Sequence, residues 1–243
     1  MNGTRPVRVA CFIALSLASS YTYFVTRPLG GWVVELPHLV AVWVGLVPAL
    51  ALAIIAVALR AKLAAAELVT LTGGRGAYSV LMLMTLPVSL AVLGLPNAHG
   101  VPEPLYGLVL GILVTIYALL EELGWRGYLQ QEFRYDDGRR WLVYASIGSV
   151  WYLWHWFFLR SGGVVDAQSN LVLWLLLIAA SAGLGELVAH TRSILASACA
   201  HALGNVLFMY ALIADRLDVS AKGLVLCVAL VAWWPLLRRW RRA

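Results

Sequence analysis

The chain has 243 residues, 62% of them hydrophobic and only 12% charged, with 18 Lys and Arg against 12 Asp and Glu. Soluble domains carry roughly 25% charged residues, so this composition excludes a soluble globular domain and points to membrane-spanning helices. The formal net charge of +6 does not mark a nucleic-acid binder: the arginines stand in short stretches between apolar runs, where they orient a membrane protein and meet anionic lipid headgroups.

A spanning helix takes about 20 apolar residues. Eight runs meet or approach that length: 7–26, 38–59, 78–95, 105–125, 141–159, 171–190, 194–213 and 223–237, the third and eighth being the shortest. The expected fold class is therefore all-α, a polytopic bundle of about eight transmembrane helices forming one integral membrane domain over residues 1–243. The first run, Val7 to about Phe24, has a basic start and the small residues Ala18, Ser19 and Ser20, which is also how a signal peptide is built. The orientation count below works well with it retained as a span. Between the second and third runs, Arg60 to Gly76 mixes Glu67, Leu68, Val69 and Leu71 with basic ends and closes on Gly73 and Gly74. This pattern predicts an interfacial amphipathic helix. Cys11, Cys199 and Cys227 lie in apolar runs without CxxC spacing and are expected as buried free thiols. The tryptophans read mainly as interface anchors and packing groups.

With eight spans both termini share one side. That side holds Arg5, Arg8, Arg60, Lys62, Arg75, Arg134, Arg139, Arg140, Arg192, Arg238, Arg239, Arg241 and Arg242, and the other holds Arg27, Arg160, Arg216 and Lys222. The bias places both termini in the cytoplasm. The Ala-, Leu- and Arg-rich composition suits a bacterial cell membrane.

Few ionisable groups remain within the spans: Glu121, Glu122, Arg126, His155, Glu186, His190 and His201, joined by the amide of Asn205. Such residues are costly in hydrocarbon and mark functional sites facing the bundle interior. Their depths coincide. If the fourth helix continues to Arg134, Glu121 lies about 20 Å from that end, at 1.5 Å per residue. His155 lies about 21 Å along the fifth helix from Trp141, and His201 and Asn205 about 10 and 16 Å along the seventh from Ile194. Three helices thus bring polar groups to overlapping depths.

Glu122 and Arg126 are four apart and can pair on one helix face, whereas Glu121, turned by about 100°, is free to meet another neighbour. His201 and Asn205 also project together. Glu186 and His190, four apart near a helix end, predict a local pair. His155 stands among Trp151, Tyr152, Trp154, Trp156 and Phe157, a dry setting that favours the neutral ring. A carboxylate beside a neutral imidazole can hold and deprotonate water, and a second imidazole with a carboxamide can donate to an oxyanion. These are the parts of a hydrolase without a covalent nucleophile. Glu121, His155 and His201 could equally form a two-histidine, one-carboxylate set for a divalent metal such as zinc, although there is no HExxH helix. Gly124, Gly127 and Gly204 are expected to permit close helix approach.

Glu121-Glu122-Leu-Gly-Trp-Arg126 resembles the EExxxR motif of the CPBP family, which includes CAAX prenyl endopeptidases and bacteriocin-processing and immunity proteins. Trp151-Tyr-Leu-Trp-His155 resembles its FxxxH motif, with Trp151 in place of the aromatic Phe, and His201-Ala-Leu-Gly-Asn205 with its Ser193-Ile194 lead-in resembles its closing HxxxN motif. The resemblance covers about residues 117–209, and the expected core spans about 105–213. It implies an intramembrane endopeptidase in which Glu121 activates water with His155, His201 and Asn205 form the oxyanion site, and Glu122 and Arg126 support the first motif. The family is often labelled metalloprotease, yet a glutamate-activated water without tightly bound metal is also argued for it, and the residues here suffice for the latter. The implied partners are membrane lipids and a membrane-associated protein or peptide substrate. Two other readings fit the Glu/His cluster: a non-catalytic binding or immunity protein of the same fold, and a small proton-coupled transporter. A transporter more often shows a two-fold repeat and broken helices, and neither is visible here.

Overall fold

Long apolar runs must satisfy their own backbone in hydrocarbon, and the α-helix does so within one segment. The computed structural model describes residues 4–26, 38–60, 69–97, 100–133, 139–160, 167–209 and 216–240. Among these, the main helices are α1 (Thr4–Thr26), α2 (His38–Arg60), α3 (Gly76–Leu93), α4 (Glu103–Gly124), α5 (Arg140–Arg160), α6 (Ala167–Thr191), α7 (Ile194–Gly204) and α8 (Val219–Trp240). They fall on the eight apolar runs. Among the described residues five helical stretches are long and apolar enough to cross a membrane: Arg5–Thr26, Gly76–Leu93, Glu103–Glu132, Gln168–Thr191 and Val219–Trp240. The two shortest runs are thus both among the spans. Outward-facing Leu15, Val57, Leu81, Leu175 and Val231 suit a hydrocarbon surround. The protein is an all-α integral membrane bundle.

The chain divides into two compact units, Met1–Leu68 with Leu120–Glu186, and Val69–Leu119 with Leu187–Ala243. In the first, α1 packs on α2 and α5. Ser20 donates its hydroxyl to the Trp154 carbonyl at 2.6 Å, and Tyr21 meets Phe157 edge-on. The basic start of α1 is bound inside the unit: Arg8 forks onto Glu132 with bonds of 2.7 and 3.1 Å, Arg5 lies 3.5 Å from the same carboxylate, and the Tyr128 hydroxyl donates to it at 3.2 Å. Glycine sets the approach of α5 to α6. A Cβ on Gly148 would stand 2.6 Å from Ile178 Cα, and one on Gly185 would enter the Tyr144 ring.

In the second unit, α3 packs on α7 and α8. Gly107 and Gly111 of α4 lie against the backbone of Leu90 and Pro87, where any Cβ would collide. The stretch 69–75 departs from the expected interfacial helix, whose residues 61–68 lie outside the described residues. Thr70 instead pairs with Ser193 in an isolated parallel bridge, and the chain turns through Gly73 and Gly74 at φ 59° and 72°. Those left-handed values suit glycine and end any helix there. The carbonyls of Thr70 and Leu71 accept the N–H groups of Ile194 and Leu195 at 3.1 and 3.0 Å, and Ser193 Oγ accepts that of Ala196 at 3.1 Å. The N–H groups that open any helix lack internal partners; here they are met by a segment more than a hundred residues earlier in the chain.

Two further expectations change. Glu186 does not pair with His190. Its carboxylate meets Arg140 at 3.3 Å and the Tyr144 hydroxyl at 3.3 Å, while His190 donates Nε2–H to the Leu237 carbonyl at 3.2 Å. Of the free cysteines only Cys199 is buried; Cys11 and Cys227 are exposed on their helices.

Gly148→Ala is expected to destabilise the protein by about 1–3 kcal/mol, the cost of overpacking a close helix contact. Gly183→Ala, where a Cβ meets nothing within 4 Å among the described residues, is the control. Thermal unfolding in detergent should separate the two, and equal melting temperatures would contradict the packing account.

Candidate active site

The first motif closes α4 and runs into a wider turn. After Gly124 the backbone opens into a π-helical segment, Trp125–Leu129, with the N–H of Gln130 donating to the Trp125 carbonyl, before one more α-turn over Gln130–Glu132. Single π-turns inside α-helices recur at functional sites. Gly124 makes room for α2 at this point, since a Cβ there would stand 2.6 Å from Leu52 Cγ. The α2 contact on the π-turn is thus a direct packing contact, as expected for Gly124.

Glu121, Glu122 and Arg126 are all 0% exposed. Glu122 Oε1 accepts from Arg126 Nη1 at 2.9 Å, the pair anticipated from their spacing. A buried charge of either sign alone would carry a penalty of several kcal/mol, so each makes the other tolerable. Glu121 takes no part in that pair. Its Oε2 accepts two indole N–H groups, from Trp151 at 2.7 Å and from Trp125 at 3.3 Å, and its Oε1 is buried without a hydrogen-bond partner. The Arg126 guanidinium lies over the Trp151 ring, 4.8 Å from its centroid.

His155 stands one turn beyond Trp151 on α5. Its Nδ1 lies 3.1 Å from the Trp151 carbonyl oxygen. A carbonyl only accepts, so Nδ1 carries the proton and, in a neutral ring, Nε2 carries the lone pair. The rings of Trp151 and Trp154 flank it at centroid distances of 5.7 and 5.0 Å. Glu121 and His155 are not hydrogen-bonded to each other; both are tied to Trp151, one to its indole and one to its carbonyl. The sequence predicts only packing or interface roles for Trp125 and Trp151. The available signal was position: Trp125 is four residues after Glu121, and Trp151 four before His155.

In the second unit, His201 and Asn205 stand one turn apart at the end of α7, both buried. A second π-helical segment, Asn205–Met209, begins at that asparagine. Among the described residues a Cβ on Gly204 would meet nothing within 4 Å, so its expected role in close helix approach finds no support there. Among the described residues no group of three or more His, Cys, Asp or Glu side chains is placed to hold a metal ion. On Glu121 and His155 the engaged atoms are Oε2, held by indole donors, and Nδ1, held by a carbonyl.

A buried carboxylate beside an oriented imidazole, in a membrane helix bundle, defines an integral membrane protein with a polar site in its interior. Residues 103–207 match the family model described as type II CAAX prenyl endopeptidase Rce1-like. The match spans all three motifs, so residues 103–207 are similar to that endopeptidase family. A search of curated proteins gave no match.

Glu122→Gln leaves the Arg126 charge buried without its counter-charge. The expected loss is about 3–5 kcal/mol of stability, as for breaking a buried pair from one side. It should appear as a lowered melting temperature and lower accumulation in membranes. A variant as stable as the parent would contradict the division of labour between the two glutamates.

Proposed function

We propose that the protein is an intramembrane endopeptidase that hydrolyses a peptide bond in a membrane-associated protein or peptide with a water activated by Glu121 and His155. The observation that carries this reading is the asymmetry of Glu121. One oxygen is held by two indoles and the other is buried without a partner, an arrangement that calls for an explanation in a folded protein. A base needs one oxygen fixed and one turned to the reactant.

In the proposed reaction Glu121 Oε1 takes a proton from water while His155 Nε2 accepts a hydrogen bond from the same water. The hydroxide attacks the scissile carbonyl carbon. His201 and Asn205, by resemblance, donate hydrogen bonds to the oxygen that becomes negative. The C–N bond then breaks, and the proton held by Glu121 passes to the leaving amine, so that an acid and an amine result and Glu121 is restored. A glutamate hydrogen-bonded directly to the imidazole would leave no room for water, so the absence of such a bond agrees with this scheme.

The family description names a prenylated CAAX substrate, and for this chain that remains one class to be tried beside unprenylated peptide precursors. The arginine distribution supports a cytoplasmic position for both termini, and the composition a bacterial cell membrane.

Glu121→Gln retains an oxygen that can accept from Trp151, so the fold should persist while turnover falls by about 10²–10⁴-fold, the contribution of a positioned base. The measurement is a mass-spectrometric comparison of membrane and secreted peptides from a deletion strain complemented with the parent or with Glu121→Gln. Peptides that appear only with the parent are expected. Restoration of the parental pattern by Glu121→Gln at equal protein level would refute the peptidase reading.

A further inference from the structure

The Trp151 indole N–H reaches Glu121 Oε2 at 2.7 Å, the short end of the N–H···O range, while the backbone oxygen of the same residue holds His155 Nδ1 at 3.1 Å. We infer that Trp151 is a positioning residue for hydrolysis: it sets the rotamer of Glu121 so that Oε1 faces the reactant, and the tautomer of His155 so that Nε2 does. The inference rests on the peptidase reading above and adds to it a residue that touches neither the water nor the peptide.

Three observations carry it. The two groups that would share the water are both bonded to one residue, so a single side-chain and backbone unit fixes their separation. The ring itself cannot swing freely: Arg126 lies over its face and Trp125 packs beside it at a centroid distance of 6.3 Å. Trp151 is also buried, so its N–H meets no competition from water. A phenylalanine at this position, as in the FxxxH pattern, would keep the ring and the carbonyl and lose the N–H. The backbone half of the device therefore belongs to any residue at position 151, and the side-chain half belongs to tryptophan. Trp125 donates to the same oxygen from 3.3 Å and is the weaker of the two holds.

A packing role makes a different forecast. Trp125 touches Phe12, Trp151 and Trp154, and Trp151 touches Trp125, His155 and Arg126, so packing alone ranks Trp125→Phe and Trp151→Phe as comparably damaging. The test uses the full-length protein in nanodiscs and a fluorogenic peptide carrying the cleavage site mapped by the strain comparison. Four proteins are compared: the parent, Trp125→Phe, Trp151→Phe, and a protein with 3-benzothienylalanine at position 151, which keeps the bicyclic shape and replaces N–H by sulfur. Loss of a hydrogen bond to a charged group is expected to lower kcat by about ten- to a hundred-fold in both position-151 variants. KM should stay within about two-fold, because the substrate makes no contact with this residue. Trp125→Phe should lose less activity at a comparable loss of thermal stability.

A second readout needs no turnover. In protein labelled with ¹⁵N-tryptophan, the Trp151 indole proton is the resonance missing from Trp151→Phe. It should lie downfield and move upfield in Glu121→Gln, where the acceptor is neutral. Parental kcat in the benzothienyl protein, or an indole proton indifferent to Glu121→Gln, would overturn the positioning role and leave the peptidase reading standing. A parent protein that cleaves no peptide would overturn the peptidase reading itself, and the positioning role with it.

Discussion

Everything in the first unit depends on the cost of placing charge where water cannot follow. Glu122 and Arg126 meet that cost together. Their contact lies within one helix, so it forms as soon as α4 forms and asks nothing of the rest of the fold. That independence matters for its neighbour. Because the arginine is engaged with Glu122, the adjacent Glu121 is left to be held by neutral donors, the indoles of Trp125 and Trp151. Neutral N–H donors fix a carboxylate without neutralising it. An arginine in their place would hold the same oxygen more strongly and leave a poorer base.

The two π-turns supply geometry that regular helices lack. Each begins at or just after a motif residue, Trp125 following the glutamates and Asn205 closing the last motif. A π-turn adds a residue to the helix without adding a turn, so side chains before and after it lie on faces that regular α-helix spacing would not bring together. Trp125 and Arg126 reach back to Glu121 and Glu122 at ordinary helical spacing, while beyond the first π-turn Gln130 points to the Gly185 carbonyl and Glu132 to Arg8. One continuous helix thereby serves its own site residues and two neighbouring helices.

Much of this was legible in the sequence because membrane helices declare themselves by length and apolarity. The eight runs and the Glu122–Arg126 pair follow from local rules. What was not legible has a common cause. In hydrocarbon an apolar side chain is stable facing lipid or facing the bundle, so hydrophobicity does not reveal which way a helix is turned. Cys11 and Cys227 were expected inside and lie outside for that reason. The Glu186–His190 expectation failed differently: an i,i+4 pair contributes only about 0.2–0.5 kcal/mol, and Arg140 and Tyr144 from α5 outcompete it for Glu186. The Trp151 indole bond to Glu121 needed knowledge of how closely α5 approaches α4, and no local pattern carries that. The π-turns have no sequence signature at all beyond the glycines around them.

The cap on α7 has a consequence for how the protein is made. The carbonyls of Thr70 and Leu71 find donors in the N–H groups of Ile194 and Leu195 and in the Ser193 hydroxyl. A ribosome delivers the first pair long before the second. Through the synthesis of more than a hundred intervening residues the stretch 69–72 must wait with its carbonyls turned to water or headgroups, and it cannot sink into the bilayer in that state. The helix bearing His201 and Asn205 therefore acquires its anchored start late, as one of the last events of assembly. A nascent chain halted before Ser193 would hold Glu121 and His155 but lack the capped helix, a built-in delay between insertion of the bundle and completion of its last motif.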